Sequence, residues 1–271
     1  MQKKIILPNK KDLSEYEKYG LNTFLLPLED YSIGCNVYYN IDEINELSKR
    51  YEVIVYMNKL LHKKIDEFKE IYSSFNSNIK FMCEDIGLSQ VISKDRFIMY
   101  ENHIVSNYKA INFLNTININ DITINNDLTI NEIEEIIEKT NCNLYYFYIS
   151  KNILMYSRRN LVSNYNKHYN LESTNNYSLE EKVTKMHLTI DEENDGSIIR
   201  FNKIFCASKY LDKLDSLNLV IDLTNIDELN EKMILENIDN SNLCNLIDSD
   251  YYFLENVIKY KVGDLKWNMN Y

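Results

Sequence analysis

The stretch EVIVYMNKLLHKKIDEFKEIYSSFNSNIKFMCEDIG, residues 52–87, holds one complete unit of the fold. Its first apolar run, Glu52–Met57, is rich in β-branched and aromatic residues and too short for a helix, so it reads as a buried strand. Leu60–Tyr72 then spaces its apolar residues three and four apart, the period of an amphipathic helix. A second short apolar run, Asn78–Cys83, follows. Two such strands joined through a helix run parallel, because a crossover of this length brings the chain back to the same end of the sheet.

The same beat extends in both directions. Upstream lie the strand Lys4–Leu7, a helical stretch from Asp12 to Tyr19, and the strand Thr23–Leu28. A loop, Asp30–Asn40, leads to a helix that Asn40 caps, with Glu43 three residues on at capping-box spacing. Downstream come a short helix near Ile86–Ile92, the strand Arg96–Tyr100, the helix Asn107–Leu114 and the strand Asp121–Ile124. The helix Ile130–Lys139, capped by Thr129, and the strand Leu144–Ile149 complete seven strands. The beat breaks at 151–207. There Lys151–Tyr169 and the polar Asn170–Ser178 precede a hairpin, Met186–Ile190 with Ser197–Phe201, turned by Asn194-Asp195-Gly196. Ser208–Leu217 reads as helix, Leu219–Leu223 as the eighth strand, and Ile226–Glu236 as its helix. Eight alternating units predict an α/β protein, a closed (β/α)8 TIM-barrel-like fold, with a hairpin-bearing insertion between strands seven and eight. The expected division is a barrel over 1–245 and an aromatic tail over 246–271. That tail carries Tyr251, Tyr252, Phe253, Tyr260, Trp267 and Tyr271 and is expected to pack on the barrel, with a partner surface as the alternative.

Composition narrows the function classes. The 271 residues are 45% hydrophobic and 26% charged, ordinary globular values. Five glycines and two prolines exclude collagen-like and Gly-rich phosphate-cradle readings. A net charge of −11 disfavours free-standing nucleic-acid binding, so RNA contact is expected to be weak or indirect. No apolar run has the length of a membrane span or a signal peptide, which predicts a cytoplasmic protein with no membrane partner. Cys35, Cys83, Cys142, Cys206 and Cys244 lie far apart without zinc spacing and read as plain thiols.

In such a barrel chemistry collects where strands end. Those ends carry Glu29, Asp30, Asn58, Lys59, Glu84, Asp85, Glu101, Asn102, His103, Asn125, Asn126, Asp127, Lys151 and Asp222. Paired carboxylates with a histidine suit acid–base work or a cation, whereas loop-start Asp and Asn also simply cap helices. His62, at a helix start, reads as structural. The segment Met155–Tyr165 sets Arg158 and Arg159 side by side, with Lys167 and His168 beyond. Such a pair suits a small anionic substrate over the mouth, or neutralises the acidic rim. Ser157 has no nucleophile-elbow context.

At these residues the chain resembles the U32 peptidase family, in its short, cysteine-poor form. The resemblance rests on Val55-Tyr56-Met57-Asn58-Lys59-Leu60-Leu61-His62, the turn Asp85-Ile86-Gly87, the helix start Ser106-Asn107, the segment Asn126–Ile133, and the block Met155–Tyr165. It spans about Tyr19–Tyr169 and continues weakly to Glu236. It implies a TIM-barrel-like fold. Its implied activities are peptidase (collagenase-like) or hydroxylation of tRNA uridine, ribosomal RNA or a quinone ring. The short form implies a tRNA uridine-hydroxylation component acting beside a longer paralogue. A catalytically degenerate barrel serving as binding or scaffold partner is the third reading. Relatives holding an iron–sulfur cluster carry four cysteines that this chain lacks, so no cofactor and no metal ligands are expected. Where the family has an Arg-Glu pair on strand six, this chain has Asn126-Asp127. The resulting candidates are Asp127, Asp85 and His103 for catalysis, and Arg158, Arg159, Asn58, Asn107, Asn164 and Tyr165 for substrate binding.

Overall fold

A computed structural model describes residues 3–62, 64–100, 105–182, 185–193 and 196–255. Eight parallel strands form a closed ring: β1 (Lys4–Leu7), β2 (Thr23–Pro27), β3 (Glu52–Met57), β4 (Lys80–Cys83), β5 (Phe97–Met99), β6 (Asp121–Ile124), β7 (Asn143–Ser150) and, after an insertion, β13 (Asn218–Asp222). Neighbours pair in chain order, and β13 closes the ring by pairing with both β7 and β1. Ile5 of β1 lies opposite Val220, and Phe147 of β7 lies opposite Val220 on the other side. Being buried on both faces is why these strands read as unbroken apolar runs. Ile5, Leu7, Leu25, Ile54, Tyr56, Met82, Ile98, Tyr100, Tyr145, Phe147 and Val220 fill the lumen. The alternate residues, such as Ile6, Phe24, Val55 and Phe81, meet the helices outside.

The outer helices are α1 (Ser14–Glu17), α2 (Ile41–Leu47), α3 (Lys64–Ile71), α4 (Tyr108–Thr116), α5 (Ile130–Lys139) and, after β13, α7 (Glu228–Glu236). Both expected capping boxes form: Asn40 with Glu43 opens α2, and Thr129 with Glu132 opens α5. Two expected helices are instead 3-10 turns, over Ile86–Gln90 and Ser208–Lys213. The second is broken by non-helical Tyr210, and a 3-10 run lets short segments turn tightly into the next strand.

The insertion is larger than one hairpin. It contains β8 (Ile153–Ser157), α6 (Leu161–Tyr169), β9 (Asn176–Glu180), β10 (His187–Glu193) and β11 (Gly196–Phe201), forming an antiparallel sheet in the order β8-β11-β10-β9. The expected hairpin is its β10–β11 pair, with Glu193 opposite Gly196. Asn194 and Asp195 of its turn lie outside the described residues. β12 (Ile204–Cys206) returns antiparallel to β7, and β14 (Ser249–Asp250) adds to β12. Near the chain end, Tyr252 stacks on Phe201 with ring centroids 4.2 Å apart. Tyr260, Trp267 and Tyr271 lie outside the described residues. No described helix is long and apolar enough to cross a membrane.

Candidate functional site

The inserted sheet lies across the C-terminal mouth of the barrel. It supplies Ile153, Leu154 and Phe201 to a cleft whose floor is Tyr56, Tyr100, Thr123, Phe147 and Asp222. Asn125, Asn126, Asp127, Ser150 and Asn152 complete the wall. About 550 Å³ of empty space lies here, counted out to open solvent. Only enough of it is enclosed for a water or two.

Strand pleating explains this lining. Tyr56, Thr123, Phe147 and Asp222 sit at or near strand C-terminal ends with their side chains inward. Tyr56 and Tyr100 meet edge-on at 5.3 Å, and Phe147 lies 5.3 Å from Tyr100. Asp222 is 9% exposed. Its Oδ1 accepts from the Thr224 N–H at 2.9 Å and the Thr224 hydroxyl at 2.6 Å. Burial nevertheless dominates and raises its carboxyl to about 6, against those hydrogen bonds and the nearby Arg200 guanidinium. Cys35 is half-buried beside it, and burial followed by the Asp222 charge pushes its thiol well up, which keeps it protonated.

Two polar groups in the cleft are unspent. Thr123 is 2% exposed and its hydroxyl has no hydrogen-bond partner among the described residues. The Asn125 amide oxygen accepts from the Asp127 N–H at 2.9 Å, while its nitrogen has no partner among the described residues. Asn126, by contrast, donates to the Phe147 carbonyl at 2.8 Å and to Asn152 at 3.1 Å. The other described buried side-chain atoms without partners, on Asn9, Tyr146 and Tyr148, do not line this cleft.

A clasp centred on Gly34 holds the inserted sheet down. Arg200 Nη2 donates to the Gly34 carbonyl at 2.6 Å, and the Gly34 N–H donates to Glu193 at 3.1 Å. The Tyr38 hydroxyl donates to the same Glu193 at 3.2 Å, and Asn225 Nδ2 donates to the Gly34 carbonyl at 3.1 Å. Gly34 has φ +77°, and a Cβ there would meet Arg200 Nη2 at 1.9 Å, so glycine is required twice over. Beside the clasp opens an acidic cleft lined by Glu29, Asp30, Glu192 and Glu193, with Lys59 and Tyr38.

Of the residues singled out from the sequence, Asp127 reaches the mouth and is exposed there. Asp85 is committed locally: its oxygens accept from the Gly87 and Leu61 N–H groups, each at 2.9 Å. Asn58 is buried and pins Ile33 through both ends of its amide, at 2.8 and 3.0 Å. Asn107 caps α4 by accepting from the Lys109 and Ala110 N–H groups. Arg158 and Arg159 are exposed at the β8–α6 turn and form no ion pair among the described residues, so they do not neutralise the described acidic rim. Asn164 and Tyr165 are exposed on α6. His103 lies outside the described residues. Sequence reading named Asp222 as a strand end without selecting it, and passed over Thr123, Arg200 and the role of Gly34. Among the described residues no group of three His, Cys, Asp or Glu side chains could hold a metal.

A family model described as peptidase family U32 matches residues 13–229. A solved structure described as the U32 peptidase Mk0906 is similar with a TM-score of 0.48 and 10% identity, covering 82% of this chain and 92% of that one. None of the curated proteins matches this chain.

Proposed function

The chain belongs to peptidase family U32, and from that membership we propose that it is a component of tRNA uridine hydroxylation whose barrel mouth receives one uracil ring, acting with a longer paralogue. The observation that carries this reading is the mixed lining of the mouth. Faces of Tyr56, Tyr100, Phe147 and Phe201 suit a flat ring, and the unspent Thr123 hydroxyl and Asn125 amide suit its imide edge. Asp222 gives that edge either a donor or an acceptor, because its carboxyl changes charge near pH 6. An enzyme that modifies a base must take it out of its stack, and a ring seated beneath the inserted sheet is shielded from water. Adding a hydroxyl to the ring is a two-electron oxidation. This chain holds the base, and the longer paralogue brings the oxygen-atom donor that gives its oxygen to the ring and takes up the two electrons.

Nucleoside mass spectrometry of total tRNA, with the gene intact and deleted, tests the proposal. Loss of 5-hydroxyuridine derivatives on deletion is the expected result, and an unchanged profile removes it. Peptide hydrolysis is the competing reading, and the acidic cleft at Glu29, Asp30, Glu192 and Glu193 would suit a cationic peptide. Purified protein that leaves unfolded protein and gelatin uncut, with and without added metals, discards it. The remaining reading, a barrel that only scaffolds its paralogue, predicts that substitutions in the mouth leave hydroxyuridine content untouched.

A further inference from the structure

We propose that the outer face of the inserted sheet, around α6, is a docking platform for single-stranded RNA. The choice of RNA rests on the reading above, while the location rests on two observations of this surface alone. The first is charge. The chain has 41 Asp and Glu, yet residues 151–171 contain none, and the same segment carries Lys151, Arg158, Arg159 and Lys167. Arg158 and Arg159 sit exposed where β8 turns into α6, and no described carboxylate pairs with either. The second is an exposed run of rings. Tyr165 and Tyr169, one helical turn apart, are 50% and 58% exposed. Their centroids are 4.8 Å apart, His168 lies 4.6 Å from Tyr169, and Tyr177 of β9 lies 5.7 Å from Tyr165.

Large aromatic rings beside unpaired guanidinium groups form the surface that single strands recognise, bases stacking on rings while cations follow the phosphates. A duplex offers no free base faces and gains only the charge. The protein's overall negative charge does not forbid this, because at physiological salt fields decay over about 8 Å and the local charge governs. Most described acids on the same sheet are committed. Glu192 accepts from the Val162 and Ser163 N–H groups and the Ser163 hydroxyl at the start of α6. Glu180 pairs with Lys185 at 2.9 Å, Asp191 faces Arg200 at 3.5 Å, and Glu193 sits in the clasp. Glu172, exposed beyond α6, opposes binding.

The test is fluorescence anisotropy of a labelled U-rich single-stranded RNA of about twelve nucleotides with the full chain, beside a duplex of the same length. The single strand should bind more tightly than the duplex. Tyr165→Ala with Tyr169→Ala should weaken it at least tenfold, given about 1–3 kcal/mol per stacked base, while Tyr165→Phe with Tyr169→Phe should keep it. Arg158→Ser with Arg159→Ser should reduce the slope of log affinity against log salt by about 1.4. No binding by the unaltered protein, equal binding by the double alanine variant, or preference for duplex overturns the platform. Binding without any hydroxyuridine loss on gene deletion keeps the platform and removes the hydroxylation role. Hydroxyuridine loss without RNA binding by this chain does the reverse.

Discussion

Asp222 carries a carboxyl where water is largely excluded, and the sign of its effect on stability follows. Its folded value, about 6, lies above the unfolded one, so the folded state holds the extra proton. Its contribution is therefore fully present below about pH 4 and is lost as pH rises through 6. Asp222→Asn keeps an oxygen for Thr224 and should abolish this decline, making the variant more stable than the parent at pH 7 by roughly 2–3 kcal/mol. Denaturant titrations at pH 5 and pH 7 measure it. Asp85 acts through geometry instead, its two oxygens each holding a backbone N–H. Asp85→Ala should lower stability by roughly 1–3 kcal/mol at neutral pH, read from its melting curve. Sequence legibility followed the range of each contact. Asn107 as a cap was readable because its partners lie two and three residues on. Thr123 was not, because an unmet hydroxyl is a property of everything around it.

Among the elements, the barrel strands and both capping boxes were readable from local pattern. Burial on both faces leaves continuous apolar runs, and Thr129 with Glu132 satisfies the first turn of α5 within four residues. Thr129→Ala should cost about 1 kcal/mol in stability, measured by chemical denaturation. The inserted sheet was only half legible. β10 and β11 alternate and meet at a tight turn, but β9 is mostly exposed, and its sequence Asn-Tyr-Ser-Leu-Glu carries no inward stripe. The grip of that sheet on the barrel joins Arg200 to Gly34 across 166 positions, which no local pattern encodes. Gly34→Ala forces a side chain into the Arg200 guanidinium at positive φ. The expected result is faster amide hydrogen exchange through β10 and β11 with protection kept in β1–β4, and a loss of roughly 1–3 kcal/mol in stability.

For the chain as a unit, ring closure through β13 builds a rigid seat and the insertion supplies its cover, so the same fold both fixes the site and shuts it. The family signature in the sequence reached the barrel and the arginine block. It did not reach the cleft floor, which is assembled from β3, the end of β5, β6, β7 and β13 and exists only once the ring is closed. The Thr123 hydroxyl there has no partner among the described residues, and a buried hydroxyl left unpaired costs about 1–3 kcal/mol. Thr123→Val keeps the shape and removes that cost, so it should raise stability while depriving a bound ring of a hydrogen bond. The decisive measurement is the 5-hydroxyuridine content of tRNA from the deletion strain carrying either the unaltered gene or Thr123→Val. A base held in the barrel mouth requires full restoration by the unaltered gene and a severalfold deficit with Thr123→Val despite its greater stability. Full restoration by Thr123→Val would contradict it.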